Sequence, residues 1–382
     1  MDVMTFVLPD FQIFAKPAGG RCNLNCSYCY YFEKQELYKG SGIMMMSDDM
    51  LELFTRQNIE ASAGSDIMFS WHGGEPLVAG LDFFRRAVSL QKKYKPRGKI
   101  ILNGIQTNAT LITEQWGEFL GNEQFIVGVS LDGPEKYHDI FRKDHGRRGS
   151  FTSVMRGMEM LKKHRVTPEI LCVVSNNNVH APLELYDFFK SLGASFMTFL
   201  PLVKKVREGR SDVSSDSVRA VDFGRFLSEI FEVWLANDIG RVRVQIFEEA
   251  LRTAFGQEHT LCIFRKVCGG VPVLEMNGDF YSCDHYVNSE NLVGNIKDRS
   301  VAEMLNSPRQ KAFGENKQGS LPRYCLECEV LDMCNGECPK NRFISTPDGE
   351  PGLNYLCEGY RYFFSRCKPF VSEVARLWRV GD

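Results

Sequence analysis

The chain has 382 residues, which is enough for a large hydrophobic core and for two domains. Hydrophobic residues make up 43% of it and charged residues 25%, as in an ordinary globular protein. The net charge of −2 excludes a general affinity for nucleic acid or for an anionic membrane surface. No apolar run approaches the roughly 20 residues that span a bilayer. The first residues also lack the pattern of a signal peptide, so we expect a cytoplasmic protein with no membrane partner.

Up to about residue 235, short β-rich runs alternate with helical patterns. The runs predict strands at 11–16, 67–71, 99–107, 125–133, 169–175 and 195–202. Helices are predicted at 47–62, 80–95, 113–121, 150–164, 181–192 and 216–236. Ser47 and Ser150 are the expected N-caps of two of them. Strands that alternate with helices pair in parallel, so the sequence predicts an α/β fold with a (β/α) barrel or part of one.

The alternation fades after about residue 240, where cysteines become dense. We therefore predict two domains, 1–235 and 236–382. Polar or glycine-containing clusters follow nearly every predicted strand. Because loops after the carboxyl ends of strands build the active site in such folds, we expect the site there.

The first of these loops, GRCNLNCSYCYY, contains Cys22, Cys26 and Cys29. In a reducing compartment the 13 cysteines of the chain favour metal binding over disulfides. Thiolates suit zinc and iron–sulfur clusters, but a structural zinc site needs a fourth ligand that this loop lacks. Three thiolates around a four-iron cube would leave one iron open for another molecule. A zinc site completed by a distant ligand remains the alternative.

The spacing C-x3-C-x2-C after a first strand, with Tyr28 before the last cysteine, resembles that of the radical S-adenosylmethionine enzymes. The resemblance implies a partial (β/α)6 barrel whose open iron binds the amino and carboxylate groups of S-adenosylmethionine. One electron then cleaves this cofactor to a 5′-deoxyadenosyl radical.

Further motifs fit the same family. His72–Pro76 reads HGGEP and matches its GGEP motif, which implies cofactor contacts from Gly73, Gly74 and Glu75. By the same positional match, the resemblance implies contacts from Tyr28, Ser130, Arg142 and Val203. Taken alone, GGEP is equally compatible with a tight turn, and Arg142 with an ordinary helix-surface residue.

Eight more cysteines lie between residues 262 and 357, and they divide evenly into two sites of four. This region resembles the SPASM domain, which carries two auxiliary four-iron clusters. The resemblance implies one cluster on Cys262, Cys268, Cys283 and Cys338, and another on Cys325, Cys328, Cys334 and Cys357. The chain would thus hold three [4Fe-4S] clusters, while two zinc sites in this region are the alternative. The remaining Cys172 and Cys367 are expected in the core.

Motifs along nearly the whole chain, among them SWHGGEP, VGVSLDGPEKYHD and CNGECPKNRF, resemble the anaerobic sulfatase-maturating enzymes. Such enzymes oxidise a Cys or Ser in a C/S-x-P-x-R segment of a sulfatase polypeptide to formylglycine. The resemblance implies a low-potential electron donor such as flavodoxin or ferredoxin. It also implies that Asp284, next to Cys283, is the proton acceptor, with His285 as a possible partner; an exposed loop carboxylate is the plain alternative.

Two other functions fit parts of the pattern. A SPASM-type peptide cyclase, which forms a thioether or carbon–carbon bond in a small ribosomal peptide, would use the same scaffold. Such enzymes often carry an N-terminal recognition extension, whereas the first cysteine here is at position 22. A zinc-binding interaction module would not need an open-coordinated site beside GGEP.

Overall fold

The computed structural model describes residues 11–38, 45–206 and 212–380. Its strands in these ranges are β1 Phe14–Lys16, β2 Asp66–Trp71, β3 Ile100–Thr107, β4 Ile126–Ser130, β5 Glu169–Val174, β6 Phe196–Pro201, β7 Arg243–Val244, β8 Val273–Glu275, β9 Asp279–Tyr281, β10 Leu292–Asn295, β11 Ile344–Ser345 and β12 Pro351–Leu353. Its helices are α1 Asp48–Ala61, α2 Leu81–Tyr94, α3 Glu114–Asn122, α4 Glu135–Phe141, α5 Phe151–Lys163, α6 Pro182–Ser191, α7 Ala220–Asn237, α8 Gln245–Ala254, α9 Val301–Leu305, α10 Pro308–Gly319, α11 Arg323–Leu326, α12 Leu331–Cys334 and α13 Cys357–Val380.

The alternation predicted for the first part of the chain is present. Strands β1 to β6 and the helices between them lie within a few residues of their predicted bounds, which confirms the α/β class. Helix α4, which lies between β4 and β5, was not among the predicted helices. None of the helices in the described ranges is both long and apolar enough to cross a membrane.

The two predicted N-caps had different outcomes. Ser47 caps α1, since its side chain accepts a hydrogen bond from the N–H of Met50. Ser150 occupies the N-cap position of α5, as predicted, but its side chain makes no capping hydrogen bond. Its hydroxyl donates to the carbonyl of Arg142 at 2.8 Å, and the Asp139 carboxylate accepts from the N–H of Phe151 instead.

The chain forms two compact units that do not follow chain order. The first comprises residues 1–130, 139–168 and 269–314, and the second comprises 131–138, 169–268 and 315–382. The domain boundary at residue 235 stays a prediction.

In the first unit, the described strands form a sheet in the order β10-β9-β8-β1-β2-β3-β4. Strands β8, β1, β2, β3 and β4 are parallel, while β9 and β10 run antiparallel to their neighbours. Strand β8 pairs directly with β1, with Lys16 opposite Glu275. This pairing brings a segment from late in the chain beside the strand that precedes the three-cysteine loop.

In the second unit, β5, β6 and β7 are parallel, and α13 packs against α7 and α8. Helices α7 and α13 approach through glycines, since a Cβ on Gly224 would lie 2.5 Å from the carbonyl oxygen of Gly359. Aromatic side chains fill the space around this crossing, among them Phe223, Phe231, Phe247, Tyr360, Phe363 and Phe364. Because α13 begins at Cys357, this packing fixes the position of one predicted cluster ligand.

Candidate active site and cluster-binding sites

The three cysteines of the first loop lie on an irregular segment that main-chain hydrogen bonds hold in place. The N–H of Cys29 donates to the carbonyl of Cys26 at 3.0 Å, and the N–H of Leu24 donates to Sγ of Cys22 at 3.3 Å. All three thiols are partly exposed. Burial, together with the charge of Glu75, raises the pKa of Cys22 to about 12. The thiol therefore stays protonated until a metal displaces the proton, which is the usual linkage at a thiolate site.

The GGEP segment packs backbone to backbone against the residues that lead into the cysteine loop. The N–H of Gly74 donates to the carbonyl of Gly19, and the N–H of Glu75 donates to the carbonyl of Arg21, both at 2.8 Å. A Cβ on Gly73 would lie 2.8 Å from the Gly19 carbonyl oxygen, and one on Gly74 would overlap the Arg21 carbonyl. Only glycine permits this approach, so the two loops are held as one surface.

Glu75 is almost fully buried and acts as a hydrogen-bond acceptor for three groups. Its carboxylate accepts from the N–H of Leu77, from the hydroxyl of Thr107 at the end of β3, and from the N–H of Asn108. Burial raises the pKa of Glu75 to about 7, against the opposing effect of these hydrogen bonds. The Asn108 amide in turn donates to Oδ1 of Asn23 at 3.0 Å and lies 3.7 Å from Sγ of Cys22. Glu75 thus connects GGEP and β3 to the cysteine loop.

The other predicted cofactor contacts in the first unit lie beside the same loop. The Arg142 guanidinium is buried and lies over the Tyr28 ring, 5.4 Å from its centroid, which is a cation–π contact. Ser130 ends β4 and accepts a hydrogen bond from the Gln106 amide at 3.0 Å. Val203 follows β6 in the second unit and is half-buried. The structure therefore brings Tyr28 and Arg142 together, and their contact with a cofactor stays a prediction.

Asp284 is buried rather than an exposed loop carboxylate, and it belongs to the same compact unit as the cysteine loop. The Tyr30 hydroxyl donates to its Oδ2 at 2.7 Å, and the Lys16 ammonium lies 3.5 Å from the same oxygen. Tyr30 directly follows Cys29, and its ring is half exposed and 4.6 Å from the ring of His285. The carboxylate is therefore held at the edge of the three-cysteine loop.

The electrostatics of this group follow from the buried Lys16. Burial alone would raise the pKa of Asp284, but Lys16, His285 and the Tyr30 hydrogen bond outweigh it and hold that pKa below its usual range. Burial and the same Lys16 charge lower the pKa of His72 to about 3, so His72 is a neutral ring. It stacks on Phe14 with ring centroids 3.8 Å apart. Asp284 is thus the ionised group beside the Lys16 side chain.

Sequence reasoning missed Lys16, Tyr30 and Asn108 as members of this site. Lys16 and Tyr30 flank the three-cysteine motif in KPAGGRCNLNCSYCYY, and Asn108 ends the QTN cluster after β3. The available signal was a lysine at the end of a predicted buried strand, where an unpaired charge is rarely found. Its partner lies 268 residues away, so no local pattern indicates the pair.

In the second unit, four of the predicted ligands surround one cavity. Cys325, Cys328, Cys334 and Cys357 line it together with Tyr324, Asn354 and Arg361, and it encloses about 370 Å³ including its open mouth. Burial and the neighbouring thiols raise the pKa of Cys357 to about 12. Among the described residues, no three His, Cys, Asp or Glu side chains are placed to hold a single metal ion. The four thiols thus surround a space, and thiol donors around a space of this kind fit a cluster.

Three ligands of the other predicted set, Cys262, Cys268 and Cys338, also belong to the second unit, whereas Cys283 belongs to the first. The segment before Cys262 is held by the buried Glu249, which accepts from His259 at 2.9 Å and from the N–H of Leu261 at 2.8 Å. Cys172 and Cys367 are both fully buried, as expected of core residues. None of the thirteen cysteines, all of which lie in the described ranges, forms a disulfide bond.

Family models match two parts of the chain. The model of the radical SAM superfamily matches residues 17–189, and that of an iron–sulfur cluster-binding domain, SPASM, matches residues 268–329. These matches cover the first cysteine loop with its GGEP segment, and part of the cysteine-rich region.

Relatives match over nearly the whole chain. A serine-type anaerobic sulfatase-maturating enzyme of Bacteroides thetaiotaomicron is 44% identical, with 94% of this chain and 90% of the relative covered. A cysteine-type anaerobic sulfatase-maturating enzyme of Clostridium perfringens is 32% identical, with 96% and 99% covered. The solved structure "Native anSMEcpe with bound AdoMet and Cp18Cys peptide" superposes with a TM-score of 0.85 at 32% identity, over 96% of this chain and 99% of that one. This match confirms the predicted fold, a partial (β/α)6 barrel of the radical SAM type with a C-terminal SPASM domain. The chain therefore belongs to the family of anaerobic sulfatase-maturating enzymes.

Proposed function

We propose that this enzyme oxidises a serine or cysteine in a C/S-x-P-x-R segment of a sulfatase polypeptide to formylglycine. The observation that carries the proposal is the buried Asp284 carboxylate, bound by the Tyr30 hydroxyl directly after the three-cysteine loop. A peptide cyclase on the same scaffold is not favoured, because relatives matched over nine-tenths of the chain are named sulfatase-maturating enzymes.

The reaction requires one hydrogen atom, one proton and one electron to leave the side chain. When bound, S-adenosylmethionine and a reduced four-iron cluster supply the 5′-deoxyadenosyl radical that takes the hydrogen atom from Cβ. Asp284 accepts the proton from the hydroxyl or thiol, and the cysteines of the C-terminal region would hold the iron–sulfur clusters that take up the electron. For cysteine, hydrolysis of the thioaldehyde then gives the same aldehyde.

The charge of Lys16 determines what kind of base Asp284 is. The low pKa of Asp284 keeps it ionised and ready to accept a proton, but it also makes the carboxylate a weak base. A hydroxyl on a radical carbon is more acidic than an ordinary alcohol. Asp284 is therefore suited to accept the proton after the hydrogen atom has left Cβ, rather than before.

The cofactor ligands are proposed by family pattern and by the chemistry of the donors. We assign a [4Fe-4S] cluster and S-adenosylmethionine to the loop of Cys22, Cys26 and Cys29. Cofactor contacts are assigned to Tyr28, Gly73, Gly74, Glu75, Ser130, Arg142 and Val203. The buried Arg142 offers a planar fork for a carboxylate. Two auxiliary [4Fe-4S] clusters are assigned to Cys262, Cys268, Cys283 and Cys338, and to Cys325, Cys328, Cys334 and Cys357.

Three finer points belong to the same proposal. Serine is the preferred target, because identity to the serine-type relative, 44%, exceeds identity to the cysteine-type relative, 32%. Flavodoxin or ferredoxin supplies the electron that starts the reaction. The protein works in the cytoplasm, where its thirteen cysteines, which form no disulfide bond, stay reduced.

The substrate assignment predicts a sequence-dependent peptide oxidation. The anaerobically reconstituted enzyme should convert a peptide with S-x-P-x-R to an aldehyde peptide, detected by mass spectrometry. The cysteine peptide should react more slowly, and a control peptide lacking the Pro and Arg should not react. Oxidation of the control at an equal rate would contradict the sulfatase assignment, and faster conversion of the cysteine peptide would overturn the serine preference.

The cluster assignment predicts the iron content. Wild-type protein should hold about 12 irons per chain, and replacing Cys22, Cys26 and Cys29 together with Ala should leave about eight and abolish cofactor cleavage. The matched control is Cys172→Ala with Cys367→Ala, which removes two buried thiols outside every predicted site and should keep all the iron. Near-stoichiometric zinc without iron in anaerobically prepared protein would refute the radical assignment.

The role of Asp284 predicts that radical formation and peptide oxidation can be separated. Asp284→Asn keeps the shape of the side chain but removes the proton acceptor, so aldehyde output should fall by roughly 10²–10⁴-fold while 5′-deoxyadenosine still forms. The measurement is the ratio of 5′-deoxyadenosine to aldehyde peptide by chromatography and mass spectrometry. The exposed Asp298→Asn serves as the control with an unchanged ratio. A normal ratio in Asp284→Asn would show that another group takes the proton.

The buried ion pair predicts a pH-dependent loss of stability. Lys16→Met should destabilise the cluster-free protein by about 3–5 kcal/mol near neutral pH, because it leaves a buried, unpaired carboxylate. In the wild type the low pKa of Asp284 contributes stability that is lost as pH falls through that pKa. In the Lys16→Met variant, burial should instead raise the pKa of Asp284 above its value in the unfolded chain. Protonation at about pH 5 should therefore shrink the difference in melting temperature between variant and wild type.

The control for that comparison is Lys92→Met, which breaks an exposed pair with Glu123. It should change stability by at most about 1 kcal/mol at either pH. If the melting temperature of Lys16→Met lay below that of the wild type by the same amount at both pH values, Lys16 would stabilise the protein through packing alone.

A further inference from the structure

Lys317 is a second buried lysine, and it lies in the second unit on α10. It is only 1% exposed, and its ammonium donates to the carbonyl of Cys262 at 3.0 Å and to that of Ile263 at 2.7 Å. Both carbonyls are uncharged acceptors, and no salt bridge to a carboxylate is found for Lys317 among the described residues. A buried ammonium is costly unless a negative group compensates it.

The groups around Lys317 that can become negatively charged are chiefly the thiols of one cysteine set. The Lys317 ammonium is close enough to interact electrostatically with Cys262, Cys268, Cys338 and Glu337. Three of the four are proposed ligands of the first auxiliary cluster. Glu337 is itself occupied, since it accepts hydrogen bonds from the side-chain amides of Asn341 at 3.1 Å and Asn354 at 2.6 Å.

Arg342, a half-buried cation nearby, is placed differently. Its guanidinium donates to the carbonyls of Gly336, Lys317, Asn335 and Glu337. The thiols that act on its charge are Cys325, Cys268 and Cys334, which belong to both cysteine sets. Arg342 therefore faces both sets, whereas the cysteines that interact with Lys317 all belong to one.

We propose that Lys317 raises the reduction potential of the first auxiliary cluster, on Cys262, Cys268, Cys283 and Cys338, and so makes it the preferred acceptor of the electron that leaves the substrate. This inference rests on the proposed function and its cluster assignment. A four-iron cube with four thiolates is a net dianion and becomes a trianion on reduction. A buried cation stabilises the trianion more than the dianion, because the interaction grows with charge and is weakly screened. Iron loading also supplies the negative charge that the buried ammonium needs.

The test is an anaerobic redox titration of Lys317→Met in the reconstituted full-length chain. Cys22, Cys26 and Cys29 are replaced by Ala in every sample, so that only the auxiliary clusters contribute to the electron paramagnetic resonance spectrum. Met keeps the length of the side chain and removes its charge. The equilibrium constant for reducing the first auxiliary cluster should fall at least about tenfold, equivalent to 59 mV for one electron, with a much smaller change for the second cluster. The control is Lys311→Met, an exposed lysine on the same helix, which should leave both potentials unchanged.

Two results would overturn the proposal. One is an unchanged potential in a variant with full iron content, which would make Lys317 an anchor for the Cys262 carbonyl only. The other is loss of about four irons from Lys317→Met, which would show that the ammonium is needed for assembly rather than for potential. Failure of the cluster assignment is distinct from both, because the parent protein with unchanged Lys317 would then lack the auxiliary irons.

Discussion

The candidate active site depends on one buried positive charge, that of Lys16. Its ammonium lies 3.5 Å from Asp284, and its charge also acts on Glu275, whose pKa is raised by burial against the lowering effect of the Tyr31 hydrogen bond and of Lys16. The ammonium further lies over the ring of Tyr31, 4.2 Å from its centroid. Such a group is stable only when its partners are present together, since an isolated buried charge is expensive. The ion pair therefore ties β1 to the segment that carries β8 and Asp284.

The candidate active site combines distant parts of the chain, and the charge of Lys16 contributes to holding these parts together. Strand β1 is three residues long, and its pairing with β8 alone offers few hydrogen bonds. Tyr30 adds a charge-assisted hydrogen bond to Asp284, a type roughly twice as strong as a neutral one, and Lys16 adds an ion pair at 3.5 Å. Holding the carboxylate in a fixed position and holding the sheet edge together are thus done by the same interactions. A mutation at Lys16 would affect both.

The sequence predicted the regular part of this structure well. Strands β2 to β6 and helices α1 to α3 have strong hydrophobic periodicity and turn signals, and their bounds agree with prediction within a few residues. The short strands β8 and β9 were missed, because three residues carry no usable period. Ser150 was assigned as a cap by residue type, but its hydroxyl donates a hydrogen bond to the nearby Arg142 carbonyl instead of capping α5. The cysteine sets came from family resemblance, since spacing alone does not say which thiols share a cavity.

Lys16 and Lys317 show how burial gives two similar side chains different effects. Lys16 faces a carboxylate whose charge is present in the folded chain itself, so its main effect is to keep Asp284 ionised. Lys317 faces thiols, and thiols in a buried setting stay protonated until iron binds, as the raised pKa of Cys268 indicates. Under the proposed cluster assignment, its partner charge would appear only with the cluster and would grow when the cluster is reduced. In the proposed reaction, the first lysine would hold the proton acceptor ionised before the reaction starts, and the second would respond to the electron that the reaction releases.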